Sequence, residues 1–241
     1  MKRAMGVYYM QCRVAFRNWW VYIAVSLLPA SYYLVFYLIG GMALSGHVLY
    51  GSLVALTLNV GVVSLPQFLV LARNRRLQEM MVASPVRPLE YMFGFALSRL
   101  VFSLPGLGVI LALLFAFGGL PVRSLPAILA VLMATWLVGS MIGFTLGTYV
   151  TSLSAVGSLA NLAGFLLMLI PPVLYPATLL AGVWRTVALL LPSSSAAFLV
   201  RAAAGLQAAT PGEILLTTAV LAAYLAGCAA LVAVKSRWRE V

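Results

Sequence analysis

Six stretches of this chain are each apolar for about the length a helix needs to cross a bilayer. A hydrocarbon core of about 30 Å takes about 20 residues at 1.5 Å per residue. The runs fall at 19–44, 48–72, 91–117, 125–150, 159–174 and 213–234. Runs without a polar face cannot lie on the surface of a water-soluble domain. They predict an all-α integral membrane protein, a single transmembrane domain over 1–241 with six spans. Composition agrees, since 64% of the 241 residues are hydrophobic and 8% are charged, where soluble domains carry about 25% charge. A soluble enzyme, a disordered tail and a disulfide-rich secreted module are excluded on the same grounds.

The fifth run is short because Pro171-Pro172 interrupts it. Between it and the sixth, residues 175–209 are apolar but punctuated by Pro176, Gly182, Pro192 and Gly205. No piece of that segment spans cleanly, so it is expected to form a broken, re-entrant helical hairpin in the outer half of the membrane. Backbone of that kind survives at membrane depth only when it packs on protein or lines a cavity.

Basic residues give the orientation. Lys and Arg number 15 against four acids, a net charge of +11. Lys2, Arg3, Arg13 and Arg17 precede the first span, Arg73, Arg75, Arg76 and Arg87 lie between spans two and three, and Lys235, Arg237 and Arg239 follow the last. With both termini in the cytoplasm all of these fall inside, leaving Arg123, Arg185 and Arg201 outside, as the positive-inside rule requires. The basic excess thus sets topology against the bilayer, and no nucleic-acid partner is expected. Arg99 lies within span three and has two readings, snorkelling to the headgroups or a partner inside the bundle. The first apolar run begins near Trp19, too late and too long for a signal-peptide core, and is expected to stay as a span.

Several segments carry local signals. In 1–18, Met5, Tyr8, Tyr9, Cys12 and Phe16 recur at helical spacing with Arg13 and Arg17 on another face, which predicts an interfacial amphipathic helix. The cytoplasmic segment 73–84 reads the same way. Leu77, Met80 and Met81 form an apolar stripe beside the charged Arg73, Arg75, Arg76 and Glu79, and Glu79 can pair with Arg75 or Arg76. Ser84-Pro85 ends that helix. It is either a lipid-surface turn or a docking site for a soluble partner. Gly139, Gly143 and Gly147 form a small-residue row in span four, suited to close packing on another helix of this chain or of a second copy. Thr210-Pro211-Gly212-Glu213 reads as a capping box at the start of span six. Asn59, Ser64, Gln67, Thr135 and Asn161 are polar groups within spans, either hydrogen-bonding glue between helices or the lining of a path.

Catalytic patterns are missing from the sequence. His47, the sole histidine, is placed in a short outer turn, there is no Asp, and neither HExxH nor the GxxxxGK[ST] phosphate loop occurs. Cys12 and Cys228 form no CxxC pair, and no metal site is expected. The four acids, Glu79, Glu90, Glu213 and Glu240, all avoid the middle of a span, where an ion-driven carrier would need one. Energy for uphill movement of a solute would therefore enter from another subunit.

Three stretches resemble the membrane subunits of ATP-binding-cassette transporters of the type-2 exporter class. RNRRLQEMMVASPVRPLEYMFG resembles that family's cytoplasmic docking segment, with Glu79, Met81, Ser84-Pro85, Glu90 and Gly94 matching its pattern. IPPVLYPATLL, from Ile170 to Leu180, resembles its proline-marked end of span five, and PSSSAAFLVR, Pro192 to Arg201, its segment before span six. The chain departs from the pattern at Asn74 and Arg76, where acids are frequent, and at Phe95, where a basic residue is common. The resemblance implies an interfacial entry helix, six spans and a broken outer hairpin in a prokaryotic cell-membrane protein. It implies a permease subunit with no cofactor of its own, working as a homodimer or heterodimer with a related permease. Each subunit would dock an ATPase, which holds ATP and Mg, through 73–84. The competing class is a membrane scaffold or anchor whose loop binds a partner without a solute path. An apolar path favours lipid-like or drug-like molecules over a sugar or an ion, and leaves room for a polymer that slides with few fixed contacts.

Overall fold

The computed structural model describes residues 28–74, 88–118, 120–180 and 182–235. The expected interfacial helix 1–18, the start of the first span at 19–27 and most of the 73–84 segment lie outside these residues. Every regular element among the described residues is helical. In chain order they are α1 (Leu28–Asn59), a π-helical turn (Val60–Ser64), α2 (Leu65–Asn74), α3 (Pro88–Leu113) with a second π turn (Leu114–Gly118), a 3-10 turn (Val122–Ser124) and α4 (Leu125–Tyr149). Then follow α5 (Leu153–Leu169), a 3-10 turn (Ala177–Leu179), α6 (Val183–Leu189), α7 (Pro192–Ala203) and α8 (Pro211–Lys235).

Helix boundaries follow local chemistry. The Ser152 hydroxyl accepts the Ala155 N–H and opens α5, which gives way at Pro171-Pro172, where the chain loses two N–H donors in a row. Pro192 occupies the first position of α7, where its fixed φ suits a helix start. The capping box opens α8. The Glu213 carboxylate accepts the Thr210 N–H at 3.0 Å, and the Glu213 N–H donates to the Thr210 hydroxyl at 3.3 Å. Inside α3, Pro105 cannot donate to the carbonyl of Val101, and the helix bends by 49° between Leu89–Val101 and Ser103–Phe117.

One expected boundary is not there. The short outer turn placed around His47, between spans at 19–44 and 48–72, is helical, because α1 runs without a break from Leu28 to Asn59. Ser45 and Gly46 weaken a helix by no more than about 1 kcal/mol each, and no proline removes a donor, so the backbone bonds of α1 continue through them. The interruption falls instead at the π turn Val60–Ser64, a local widening through which Gly46–Asn74 still runs as one helix.

Three helices among the described residues are long and apolar enough to cross a membrane: Gly46–Asn74, Val122–Tyr149 and Pro211–Val234. The shortest, 24 residues, reaches about 36 Å. The two halves of α3 together, and α6 with α7, pass the same test as bent pairs, the second bent by 96°. The apolar α5 is shorter.

Two of the core clusters run along these helices. At the His47 end of α1, Leu49, Tyr50, Leu53 and Val54 pack with Ile110, Leu132, Met168, Val173 and the α7 residues Ala196, Ala197 and Val200. Toward Arg73, Leu65 and Leu69 pack with Tyr91, Phe95, Trp136, Phe144 and Val232. Outside the core, large apolar side chains face outward: Leu215 and Val234 on α8, Leu162 and Phe165 on α5, and Trp184 on α6. At about 25 cal/mol per Å², that surface would be costly in water and costs nothing in lipid. The chain is membrane-embedded.

Candidate functional site

The π turn and the glycine row of α4 make a backbone-to-backbone contact. A Cβ on Gly143 would overlap the Gly61 carbonyl and lie 3.0 Å from Pro66 Cδ. One on Gly139 would lie 2.9 Å from the Leu58 carbonyl oxygen, and one on Gly147 would lie 3.0 Å from Pro66 Cα. The row therefore seats the chain from Leu58 to Leu69 backbone against backbone. On the opposite side, Gly164 of α5 lies against the same turn, where an added Cβ would meet Val63 and stand 3.7 Å from Asn59 Nδ2. Glycines on two helices thus hold one π turn.

Of the polar residues singled out in the spans, Asn59, Ser64 and Gln67 flank or belong to this turn and are partly exposed. Asn161 is exposed on α5, three residues before Gly164. Thr135 stands apart. It is fully buried, and its hydroxyl donates to the Val131 carbonyl of its own helix at 2.8 Å, so it bridges nothing. Of the docking-segment residues, Arg73 is described. It closes α2 and donates to the Thr148 carbonyl at 3.5 Å, which places the start of that segment beside the end of α4. Arg75, Arg76, Leu77, Glu79, Met80 and Met81 lie outside the described residues.

Arg99 takes the interior of its two readings. It is 2% exposed, and its guanidinium stacks 3.9 Å over the Phe68 ring of α2. Its Nε is 3.4 Å from the Ser98 hydroxyl. A ring face attracts a cation most where water is excluded, which suits this depth.

At the opposite end of α1, a second arginine, the one that closes the family-like segment 192–201, makes a site that its sequence does not announce. Arg201 of α7 is 1% exposed. Its Nε donates to the His47 carbonyl at 3.3 Å and Nη2 to the same oxygen at 3.0 Å. Nη1 donates to the carbonyls of Pro172 and Tyr175, both at 3.0 Å, and Nη2 also to that of Val173. A Cβ on Gly51 would overlap the Val173 carbonyl, so only glycine lets this strand of backbone lie against α1. The signal available in the sequence was an arginine in an acid-free apolar segment downstream of a double proline. Those prolines supply no N–H of their own, and the carbonyls around them need a donor from elsewhere. Nearby, Arg185 of α6 and Glu213 of α8 form an ion pair at 2.5 Å, tying the bent pair to the last span. Among the described residues no three of His, Cys, Asp and Glu come together.

A bundle of apolar helices, with lipid-facing surface and glycine-cushioned helix contacts, defines an embedded membrane protein. The sequence profile of the ABC-2 family transporter protein matches residues 31–234, and the chain belongs to that family. Members are permease components of ATP-binding-cassette transporters, not themselves catalytic, and normally pair with an ATPase subunit. No curated protein matches the chain.

Proposed function

We propose that this chain is the permease subunit of an exporter, driven by ATP hydrolysis in a separate subunit that docks on 73–84. The observation that carries this reading is the family match over 31–234. The placement of acids supports it: the two on described residues, Glu90 and Glu213, each sit in the first turn of a helix. Neither is placed to carry a proton across, and the coupling energy comes from outside the chain.

The permease crosses the membrane six times with both termini in the cytoplasm. In the bilayer the Arg73 end faces the cytoplasm, and the Arg201 end, with α6 and α7 as a re-entrant hairpin, faces out. A second permease, identical or related, completes the path against the exposed side of α5, where Asn161, with Asn59, Ser64 and Gln67 on the neighbouring helix, supplies its few polar groups. The docking surface is Arg73, Arg75, Arg76, Leu77, Glu79, Met80 and Met81. ATP and Mg belong to the ATPase.

Co-purification tests this reading. The tagged chain is expressed with an ATPase carrying a GxxxxGK[ST] loop and encoded beside it. Stable association is expected, and deletion of 75–84 should abolish it. Association that survives the deletion contradicts the docking assignment. Association without ATP-dependent transport would favour the scaffold.

A further inference from the structure

A buried guanidinium is costly unless every donor is satisfied. Arg201 has five N–H groups, and its five hydrogen bonds go to four backbone carbonyls: His47, Pro172, Val173 and Tyr175. No donor is left over for a passing solute, so this cation is not a substrate-binding group. Its partners come from separate parts of the chain. His47 belongs to α1, residues 172–175 form the proline break that follows α5, and Arg201 itself belongs to α7. Lysine substitutes only in part, because a point charge with three donors reaches fewer of the carbonyls spread over this width. Gly51 completes the arrangement by leaving room for the break to lie on α1 within reach of the fork.

We propose that Arg201 is a positioning residue for transport, a clamp that fastens α7 and the proline break to α1 so that the outer hairpin moves with α1 as one body. The proposal rests on the permease reading for its transport consequence, while the clamp itself is a property of this chain alone. Helix α1 continues through the glycine-held π turn into α2, whose last residues begin the docking segment. The clamp therefore joins the outer hairpin to the helix that would receive the ATPase's movement.

Two measurements test it on the full-length chain. Gly46 and Leu206 sit against each other beside the clamp, since a Cβ on Gly46 would lie 3.2 Å from Leu206 Cδ2. Both are changed to Cys in a Cys12→Ser, Cys228→Ser background, and a short bis-maleimide is applied in phosphatidylcholine nanodiscs. With Arg201 present the pair should cross-link readily. Arg201→Met should slow the reaction by about tenfold or more, the loss expected when several charged hydrogen bonds go at once. Arg201→Lys should fall between, and it carries the test if the Met variant does not fold. Equal rates in all three overturn the clamp. In vesicles with the ATPase, Arg201→Met should lose transport, and the covalent 46–206 link should restore it. A purely structural role would give no such rescue, and its absence overturns the positioning role. If the unmodified chain moves no substrate, the permease reading fails instead, and the cross-linking arm, which needs no partner, still decides the clamp.

Discussion

Replacing Gly143 with alanine places one methyl group where two helix backbones touch. The added Cβ would overlap the Gly61 carbonyl and press on Pro66 Cδ at 3.0 Å. The Gly61 carbonyl is backbone and cannot swing aside as a flexible side chain would. Overpacking costs about 1–3 kcal/mol, and an immovable neighbour puts this site at the upper end. Against that, alanine is the better helix former by about 1 kcal/mol. The net expectation is a loss of about 2 kcal/mol, a factor of about 30 in the folded-to-unfolded ratio. Gly157 is the control, since a Cβ there would meet nothing within 4 Å. Gly157→Ala keeps only the favourable term and should gain up to about 1 kcal/mol. The assay is reversible unfolding of the full chain by SDS titration in mixed micelles, followed by Trp fluorescence. The two variants should shift the midpoint in opposite directions. A Gly143→Ala protein as stable as the parent, or a Gly157→Ala protein that loses as much, would refute the close-packed π turn.

Three further outcomes are expected. Glu79→Lys reverses a charge in the proposed docking segment and should cut transport by about tenfold or more while the protein still inserts; normal export from this variant removes Glu79 from docking. Thr210→Ala deletes one half of the capping box and should destabilise the start of α8 by about 1 kcal/mol, read as faster amide exchange over the first turn. No change in exchange there would show that the cap contributes nothing. Phe68→Leu removes the ring beneath Arg99 and should lower stability by about 1–2 kcal/mol in the SDS titration. Retention of full stability would mean the stacking carries no weight.

Much of the architecture is legible in the sequence because lipid allows so few solutions. Long apolar runs must be helices, Pro171-Pro172 must end one, and Thr210 through Glu213 carries its capping chemistry in four letters. The glycine row at 139, 143 and 147 likewise announces close packing, although only the fold says that its partner is the stretch from Leu58 to Leu69 around the π turn. That turn was not legible. Residues 60–64, VGVVS, are mostly apolar like their neighbours, and nothing in their types separates a π turn from a continuing α-helix. The reversal expected at His47 was misplaced for the converse reason. Ser, Gly and His look like a turn in isolation, but none of them prevents a helix from continuing. As a polar residue within a span, Thr135 reads as either glue between helices or the lining of a path, yet a threonine in a helix can satisfy itself on the preceding turn, as it does on Val131. Arg201 is readable in the sequence as an outer charge and as the end of the family-like segment 192–201, but not as the centre of a hydrogen-bonded site. Its partners are backbone carbonyls from residues up to 154 positions away, and carbonyls carry no sequence signature.

ATP hydrolysis measured on the purified chain and on its complex tests the central claim most directly. The chain alone, in vesicles with Mg and ATP, should hydrolyse nothing, and addition of the ATPase encoded beside it should bring both hydrolysis and ATP-dependent movement of a lipid-like substrate. Hydrolysis by the chain alone, or movement that proceeds without the ATPase, would contradict the assignment as a permease subunit.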